Sequence, residues 1–428
     1  MLPHWDSSPE MADSLHSKPF QTVIAHRMSS CGSLSILITQ KSIWMIDLES
    51  NDMQDVRDEI NGIENVKQEI GHDKGWNRIL CTDKQINAAD AVFVTNGLGD
   101  WSMDCCCVHP EGYVTLASWQ YSSATNVGQK KERSISSLKL MEWKGHQRNS
   151  MNVSFLPTGC GPGDKYGEVT CAHNAASLFL TMSVQGECKI WKKQLQDDEL
   201  MISQELECRT AKCNIATSAA LLCESKCVAI GDCRGNVSLF RYETEPTSSE
   251  SSSVAIGQGL SVPPFKDTPC FQFIPKAHGL EIVSCIQAVR GGFCSLGYDG
   301  YLSVFSFNPQ DPPHCFYLAS RLPCTPIASP DQMFCTYDRD AEDNWSLIVA
   351  GYQASDFIIY DIRKKYQLLK ISAGGWKRAH RAALNFCDSS NHGFPDVAFI
   401  YSAMIETRAV YNCMRYKVKT LVTEHGPV

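Results

Sequence analysis

Short apolar strands and polar turns alternate along the chain, and one stretch shows the pattern most clearly. In "YDGYLSVF" (298–305), Asp299 and Gly300 form a two-residue turn signal, and apolar and polar side chains alternate after it. An Asp-Gly turn followed by an alternation of period two predicts a β-hairpin. Because the apolar residues do not recur at helical spacing, the same stretch does not predict a helix.

The hairpin pattern recurs along the chain. It appears in "FLTMSVQGECKIWKK", "CVAIGDCRGNVSLFRY" and "LIVAGYQASDFIIYDI", and looser copies lie near both ends. Each copy has an apolar strand, a tight polar turn and a second strand that ends near an aromatic residue. The turns lie roughly 50 to 65 residues apart, close to the spacing of propeller blades with loop insertions. A single sheet of this kind cannot bury both faces, so the units are expected to pack face to face around an axis.

The sequence therefore predicts an all-β fold, a WD40-like β-propeller of about seven four-stranded blades over residues 20–415. The expected blades are residues 20–48, 88–143, 149–192, 212–242, 279–308, 325–362 and 380–415. The segments expected outside the blades are a disordered N-terminus (1–19), an acidic insertion (48–75), a flexible Ser/Pro-rich loop (243–264) and a tail or the start of an incomplete further blade (416–428).

The charge balance limits the partners that the chain can bind. Its 428 residues carry a formal net charge of −8, so it is not a globally basic nucleic-acid binder. Any contact with RNA would need a local basic patch. The N-terminus does not have the pattern of a signal peptide, and no apolar run reaches about 18 residues, the length of a membrane helix. The expected location is the cytoplasm.

Cysteine is abundant, with 21 residues, among them a run at 105–107. Most lie among Val, Ile and Ala in strand-like stretches, where free cysteine behaves as a small hydrophobic residue. A metal site remains an alternative, although the separations of Cys208, Cys213, Cys223 and Cys227 differ from those of zinc ribbons. Disulfides remain a further alternative, which the expected reducing compartment disfavours.

Few motifs indicate catalysis. "TGCGPGDKYG" (158–167) has the spacing of a cofactor-binding glycine loop, but a further strand follows it instead of a helix, so it predicts a long turn. His146 and His278 each precede a strand, which favours a structural role in bracing a blade. The chain is therefore predicted not to be an enzyme and to hold no metal or cofactor of its own.

One basic segment is a candidate binding site for tRNA or for a protein partner. Paired glycines let the backbone turn tightly and allow a partner to approach, and the cations and the aromatic residue that follow suit phosphate contacts and base stacking. The alternative is a solvated basic loop whose tryptophan packs on the rim of a blade. The candidate residues are Gly374, Gly375, Trp376, Lys377, Arg378, His380 and Arg381.

Three motifs within residues 200–415 resemble the WD repeat-containing protein 6 family. They are the G-D-x-R-G turn at 231–235, the HG…GYDG unit at 278–300 and the GGW-K-R-x-H signature at 374–380. The resemblance implies a non-catalytic WD40 scaffold that partners an FtsJ-type methyltransferase. It also implies that the chain positions tRNA for 2′-O-ribose methylation of the anticodon wobble nucleotide, with S-adenosylmethionine on the partner enzyme. Family members are much longer, so this chain is expected to be a fragment or a truncated form.

Two other functions remain open. A generic propeller hub would bind proteins on one face without binding RNA, and the proteins and nucleic acids that co-purify with the chain would distinguish it from the tRNA scaffold. An enzyme built on a propeller would need clustered acids or histidines near the axis, and inner-strand positions such as Ser183, Cys233 and Tyr298 supply none.

Overall fold

The computed structural model describes most of the chain in two compact units. The larger unit is Val94–Trp376, and the smaller unit combines Met1–Phe93 with Lys377–Val428. The residues that it describes are 23–28, 34–47, 76–81, 84–95, 101–124, 132–147, 149–156, 178–196, 199–222, 225–242, 255–256, 268–310, 315–337, 345–375, 380–385, 396–402, 406–412 and 421–424.

The regular elements of the described residues are strands, apart from 3-10 turns at Pro110–Gly112 and Ala211–Cys213. In chain order the strands are β1 (Val23–Met28), β2 (Leu34–Thr39), β3 (Ser42–Asp47), β4 (Trp76–Cys81), β5 (Ala88–Thr95), β6 (Trp101–Val108), β7 (Tyr113–Ala124), β8 (Glu132–Lys144), β9 (Ser150–Leu156), β10 (Leu178–Ser183), β11 (Glu187–Gln196), β12 (Glu199–Arg209), β13 (Ala216–Leu222), β14 (Cys227–Asp232), β15 (Val237–Arg241), β16 (Ala255–Ile256), β17 (Cys270–Ile274), β18 (Val283–Val289), β19 (Gly292–Gly297), β20 (Tyr301–Phe307), β21 (Phe316–Pro323), β22 (Ser329–Tyr337), β23 (Trp345–Gln353), β24 (Asp356–Asp361), β25 (Tyr366–Ser372), β26 (His380–Asn385), β27 (Asp396–Ser402), β28 (Glu406–Asn412) and β29 (Leu421–Glu424).

These strands form antiparallel sheets in which neighbours along the chain are mostly neighbours in the sheet. The sheets, with their strands in order, are sheet 1 (β1-β2-β3-β4), sheet 2 (β5-β6-β7-β8), sheet 3 (β9-β10-β11-β12-β16), sheet 4 (β13-β14-β15-β17), sheet 5 (β18-β19-β20-β21), sheet 6 (β22-β23-β24-β25) and sheet 7 (β26-β27-β28-β29). Sheets 3 to 6 lie in the larger unit with most of sheet 2, whereas sheets 1 and 7 lie in the smaller unit.

The first strands of successive sheets lie side by side in the larger unit, as expected of propeller blades. The Asn152 side-chain amide of β9 donates to the Thr217 carbonyl of β13 at 2.9 Å. In turn, the Thr217 hydroxyl donates to the Val283 carbonyl of β18 at 2.7 Å. The Ser284 hydroxyl of β18 then donates to the Pro330 carbonyl of β22 at 2.9 Å. The same kind of side-chain bond therefore joins three successive pairs of sheets at their inner strands.

Apolar layers fill the spaces between these sheets. One cluster joins sheets 3 and 4 and includes Leu180 and Val228. A second joins sheets 4 and 5 through Leu239 and Phe293, and a third joins sheets 5 and 6. Since sheets 4 and 5 each bury both faces against neighbouring sheets, the larger unit has the architecture of a β-propeller. The predicted all-β propeller fold is confirmed.

The predicted number of blades is corrected. The larger unit contains five blades, sheets 2 to 6, where the sequence predicted about seven four-stranded blades. Sheet 3 also has a fifth strand, because Ala255 and Ile256 of the segment predicted as a flexible loop pair with Ser203 and Ile202 of β12. The hairpin pattern identifies strand pairs, but it carries no information on which sheets pack into one compact unit.

The other segments predicted to lie outside the blades are described only in part. Residues 1–19, residues 48–75 and the rest of 243–264 lie outside the described residues. In the predicted tail, Leu421–Glu424 forms β29, which pairs with β28 as the fourth strand of sheet 7.

Thirteen cysteines of the described part are free thiols, and most of these thirteen are buried. The buried thiols include Cys105, Cys106 and Cys107 of β6. Cys188, Cys208 and six others are also buried or half-buried. Burial raises the pKa of the Cys324 thiol to about 12, with a smaller contribution from the Asp299 carboxylate. The prediction that cysteine fills the core is confirmed for these residues.

Candidate interaction face

One end of each blade in the larger unit carries the turn between its second and third strands. In sheets 2 to 6 a carbonyl of this turn accepts a hydrogen bond from a backbone N–H of the loop that follows the blade's fourth strand, at 2.9–3.0 Å. The acceptors are Gly112, Gly186, Gly235, Gly300 and Ser355, and their donors are Gly145 and His146, then Thr210, His278, Cys324 and Ala373. The bond holds each turn against the loop that leads to the next blade. We call the end formed by these turns and loops the turn–loop end.

Glycine is required in several of these turns by the backbone conformation. Gly235 and Gly300 have φ of 76° and 78°, a left-handed conformation that costs other residues more. A side chain at Gly235 would also lie 2.8 Å from the carbonyl oxygen of Glu281 in the neighbouring loop. The glycine of the G-D-x-R-G motif therefore permits the close approach of turn and loop.

His146 begins a chain of buried hydrogen bonds in sheet 3. The Trp191 indole N–H donates to the Thr181 hydroxyl at 2.7 Å, and this hydroxyl lies 2.7 Å from Nε2 of His146. Nδ1 of His146 lies 2.8 Å from Glu187. An indole only donates and a carboxylate only accepts, so the Thr181 hydroxyl donates to Nε2 and the Nδ1–H donates to Glu187. Burial lowers the pKa of His146, which agrees with a neutral ring.

His278 has the same role in sheet 5. Its Nε2 lies 2.8 Å from the Ser295 hydroxyl, and its Nδ1 lies 3.0 Å from Asp299 in the turn of the Asp-Gly hairpin. Burial opposes ionisation of Asp299, but the hydrogen bond and the charge of His278, with the Tyr301 N–H and Arg321, lower the pKa of Asp299. The prediction that His146 and His278 brace blades is confirmed.

The decrease in the free energy of unfolding at acidic pH should depend on Glu187. Burial opposes its ionisation, but the hydrogen bond from His146 and the charge of Lys189 outweigh it and lower the pKa of Glu187 from 4.5 to about 2. The ionised carboxylate therefore stabilises the fold above its ordinary pKa, and this contribution is lost as the pH falls from about 5 towards 2. Between pH 5 and 3, we expect the free energy of unfolding to fall by about 2 kcal/mol more in the wild type than in Glu187→Gln.

Urea unfolding at a series of pH values measures this difference. Gln can still accept the His146 N–H, so the substitution removes the titration and keeps the acceptor. Parallel curves for the two proteins across this window would contradict the assigned role of Glu187.

The predicted basic segment begins at the turn–loop end of sheet 6. Gly374 and Gly375 have φ of 80° and 104°, so both adopt conformations that favour glycine, as a tight turn requires. Trp376, Lys377 and Arg378 lie outside the described residues. His380 and Arg381 are the first two residues of β26 in the smaller unit. The binding role of these residues stays a prediction.

The turn–loop end of sheets 3 to 5 exposes side chains that the sequence analysis did not select as binding residues. Leu280 is 69% exposed, and Tyr298 and Ile215 are also solvent-accessible. Lys212, Arg234 and Lys276 are exposed cations of the same turns and loops. The signal available in the sequence was weak, because each cation stands alone in its own loop.

Asp232 organises this part of the face. Its buried carboxylate accepts the backbone N–H groups of Arg234 and Asn236 at 2.8 and 3.0 Å. It also accepts the side-chain amides of Asn214 and Asn236, both at 2.8 Å. One carboxylate therefore fixes the turn that carries Arg234 and ties it to the loop before β13.

The described residues show no group of three or more His, Cys, Asp or Glu side chains that could hold a metal ion. Residues 158–167, the glycine-rich stretch, lie outside the part of the chain that the structure describes. No helix among the residues described is long and apolar enough to cross a membrane.

Comparison with known proteins gives structural similarity but no match in sequence. No family model matches the chain, and no curated protein matches it. Among solved structures, the chain is similar to the β-propeller domain of Cps50 (Swd1) from Myceliophteria thermophila, with 8% identity and a TM-score of 0.43. The match covers 89% of this chain and 94% of that chain. This similarity is too low to carry an argument, so the propeller assignment rests on the sheet order and the inner-strand contacts described above.

Proposed function

We propose that the protein is a non-catalytic WD-repeat scaffold that partners an FtsJ-type tRNA 2′-O-methyltransferase in the cytoplasm. In this proposal it positions tRNA so that the partner methylates the ribose 2′-hydroxyl of the anticodon wobble nucleotide. The observation that carries the proposal is the conformation of Gly374 and Gly375, which open the GGW-K-R-x-H signature at the turn–loop end of a blade. A propeller is generally a non-catalytic scaffold that supports protein interaction, which agrees with an auxiliary subunit.

Residues 374–381 would bind the RNA and would take no part in the methyl-transfer reaction. Lys377, Arg378 and Arg381 carry charges that suit phosphate oxygens, and Trp376 offers a ring on which a base or a ribose could stack. S-adenosylmethionine would be held by the partner enzyme, which also performs the methyl transfer. The scaffold would raise the rate by binding both macromolecules at once, which raises their effective concentration.

A second candidate function is a hub for proteins alone. The observation that favours it is the exposure of Leu280 and Ile215 at the turn–loop end, because exposed apolar residues are common at protein interfaces. The hub and the tRNA scaffold differ in a simple respect: a hub does not need RNA, and its partners would be recovered equally well after ribonuclease treatment.

Methyl transfer with purified components tests the proposal. We expect the chain to increase the rate at which an FtsJ-type methyltransferase transfers methyl groups from S-adenosylmethionine to the wobble ribose of unmodified tRNA. The triple variant K377A/R378A/R381A should bind tRNA more weakly and show a flatter dependence of affinity on salt, because each lost phosphate contact lowers the slope.

The matched control removes three cations from the other end of the blades. Lys226, Lys364 and Lys365 are exposed and lie in turns at the end opposite the turn–loop end, so K226A/K364A/K365A makes the same change in net charge. Unchanged tRNA affinity and salt slope in K377A/R378A/R381A would remove the segment from the RNA site. A rate of methyl transfer that does not respond to the chain would contradict the proposed function.

A further inference from the structure

Three exposed cations lie on consecutive turns and loops of sheets 3 to 5. Lys212 is in the loop before β13, Arg234 is in the turn between β14 and β15, and Lys276 is in the loop before β18. None of their side chains forms an ion pair with another residue in the described part of the chain. In a protein of net charge −8, three unpaired cations on neighbouring loops form a local basic patch.

Hydrogen bonds from backbone N–H groups join the three loops directly. The Cys233 N–H, beside Arg234, donates to the Ile215 carbonyl of the Lys212 loop at 2.9 Å. On the other side, the Lys276 N–H donates to the side-chain oxygen of Asn236 at 3.0 Å. The three cations are therefore carried by segments that contact one another.

Both lysines of this patch also adopt a backbone conformation that is uncommon for residues other than glycine. Lys212 and Lys276 have φ of 58° and 53°, in the left-handed region that glycine and asparagine occupy more readily. The rigid contacts of the loops hold both residues in this conformation.

An exposed aromatic ring adjoins the cations. The Tyr298 N–H donates to the Ile282 carbonyl of the Lys276 loop at 3.1 Å, and its hydroxyl donates to Asp331 at 3.3 Å. The tyrosine is 36% exposed, so part of its ring faces solvent while both ends of the residue are held. A ring held in this way offers a platform for stacking at a small cost in side-chain entropy.

We infer that Lys212, Arg234, Lys276 and Tyr298 form an RNA-binding surface, in which the cations contact successive phosphates and the tyrosine stacks on an unpaired base. We call it the Arg234 surface. Cations combined with an aromatic ring suit single-stranded or loop RNA, whose bases are free to stack. Glu281 is exposed beside these cations and Asp331 is half-buried beside Tyr298, so the three exposed cations outnumber these two acids.

This inference rests on the proposed function, because it assumes that the chain binds tRNA, and it adds a second contact beyond residues 374–381. The Arg234 surface lies on sheets 3 to 5, whereas the Gly374–Gly375 turn follows sheet 6. Two separate contacts would let the scaffold fix the orientation of a tRNA as well as its position.

Equilibrium binding of an unmodified tRNA transcript to the purified full chain tests the inference. Against the wild type, K212A/R234A/K276A should bind at least about tenfold more weakly at moderate salt, and its log–log salt slope should be smaller by about 2, from three lost phosphate contacts. The control K226A/K364A/K365A should stay within about twofold of the wild type. Thermal melting of each variant verifies that it is folded.

Tyr298 is tested separately with a short single-stranded RNA. Tyr298→Ala should weaken binding by about fivefold or more through the loss of stacking, with an unchanged salt slope, while Tyr298→Phe should retain most of the affinity. Equal losses in Tyr298→Phe and Tyr298→Ala would contradict a stacking role.

The outcomes separate this inference from the function on which it rests. If wild-type chain binds no tRNA, the proposed function fails and the Arg234 surface fails with it. If the wild type binds tRNA and the folded triple variant binds equally well, only the Arg234 surface is overturned. If the triple variant keeps its tRNA affinity but no longer binds the methyltransferase, the surface binds protein and the inference is also overturned.

Discussion

Replacing Trp191 with alanine is expected to lower the free energy of unfolding by about 4 kcal/mol, the largest effect of any single substitution considered. The Trp191 side chain is completely buried, and its ring meets that of Trp143 edge to face, with centroids 5.4 Å apart. Trp143 belongs to β8 of sheet 2 and Trp191 to β11 of sheet 3, so the substitution opens a cavity between two blades. It also removes the indole N–H that Thr181 accepts.

The variant Trp191→Phe separates the contribution of ring packing from that of the indole hydrogen bond. Phenylalanine retains much of the packing but has no N–H, so we expect this variant to lose less stability, about 2 kcal/mol, from the smaller ring and the missing hydrogen bond. Denaturant unfolding followed by circular dichroism measures both variants. A loss below about 1 kcal/mol for Trp191→Ala would contradict the packing of sheet 2 against sheet 3.

Gly292→Ala should produce the second-largest loss, about 3 kcal/mol, because no space exists for a methyl group at this position. A Cβ on Gly292 would lie 1.9 Å from the backbone carbonyl oxygen of Phe305 in the paired strand β20. Since the obstacle is backbone, the two strands would have to separate. That movement would disturb the stacked rings of Phe293 and Phe305, whose centroids are 4.7 Å apart.

The adjacent glycine supplies the control. Gly291 has φ of 72°, and a Cβ there would meet no atom within 4 Å. Gly291→Ala should therefore cost only the conformational strain of a left-handed alanine, about 1 kcal/mol. Thermal or denaturant unfolding of the two variants compares crowding with backbone strain at neighbouring positions. Equal losses in the two would show that crowding at Gly292 is not the dominant effect.

The local structure of the blades was largely predictable because hairpins are encoded over short distances. The Asp299-Gly300 signal predicted a turn, and Gly300 adopts φ of 78° between β19 and β20. The bracing roles of His146 and His278 were also predictable, because each histidine stands at a fixed place before a strand. The pairing of β16 with β12 was not, because a two-residue strand within a polar insertion has no pattern of its own.

The candidate site was predictable only where its residues are contiguous in the chain. The glycine pair at 374–375 stands beside its cations, so the composition of one short segment was sufficient. Lys212, Arg234 and Lys276 are separated by 22 and 42 positions, and only the hydrogen bonds between their loops bring them together. Asp232 was part of the G-D-x-R-G motif, but its role was not predicted, because it accepts bonds from residues of two different loops.

The most direct test of the central claim is a map of 2′-O-methylated wobble nucleotides in the tRNA of cells that lack this protein. We expect wobble ribose methylation to be lost at specific tRNAs while the methyltransferase is still present. The full-length gene should restore methylation, and the same gene carrying K212A/R234A/K276A should restore it only in part. Unaltered wobble methylation in the deficient cells would contradict the assignment of this propeller as a scaffold for tRNA methylation.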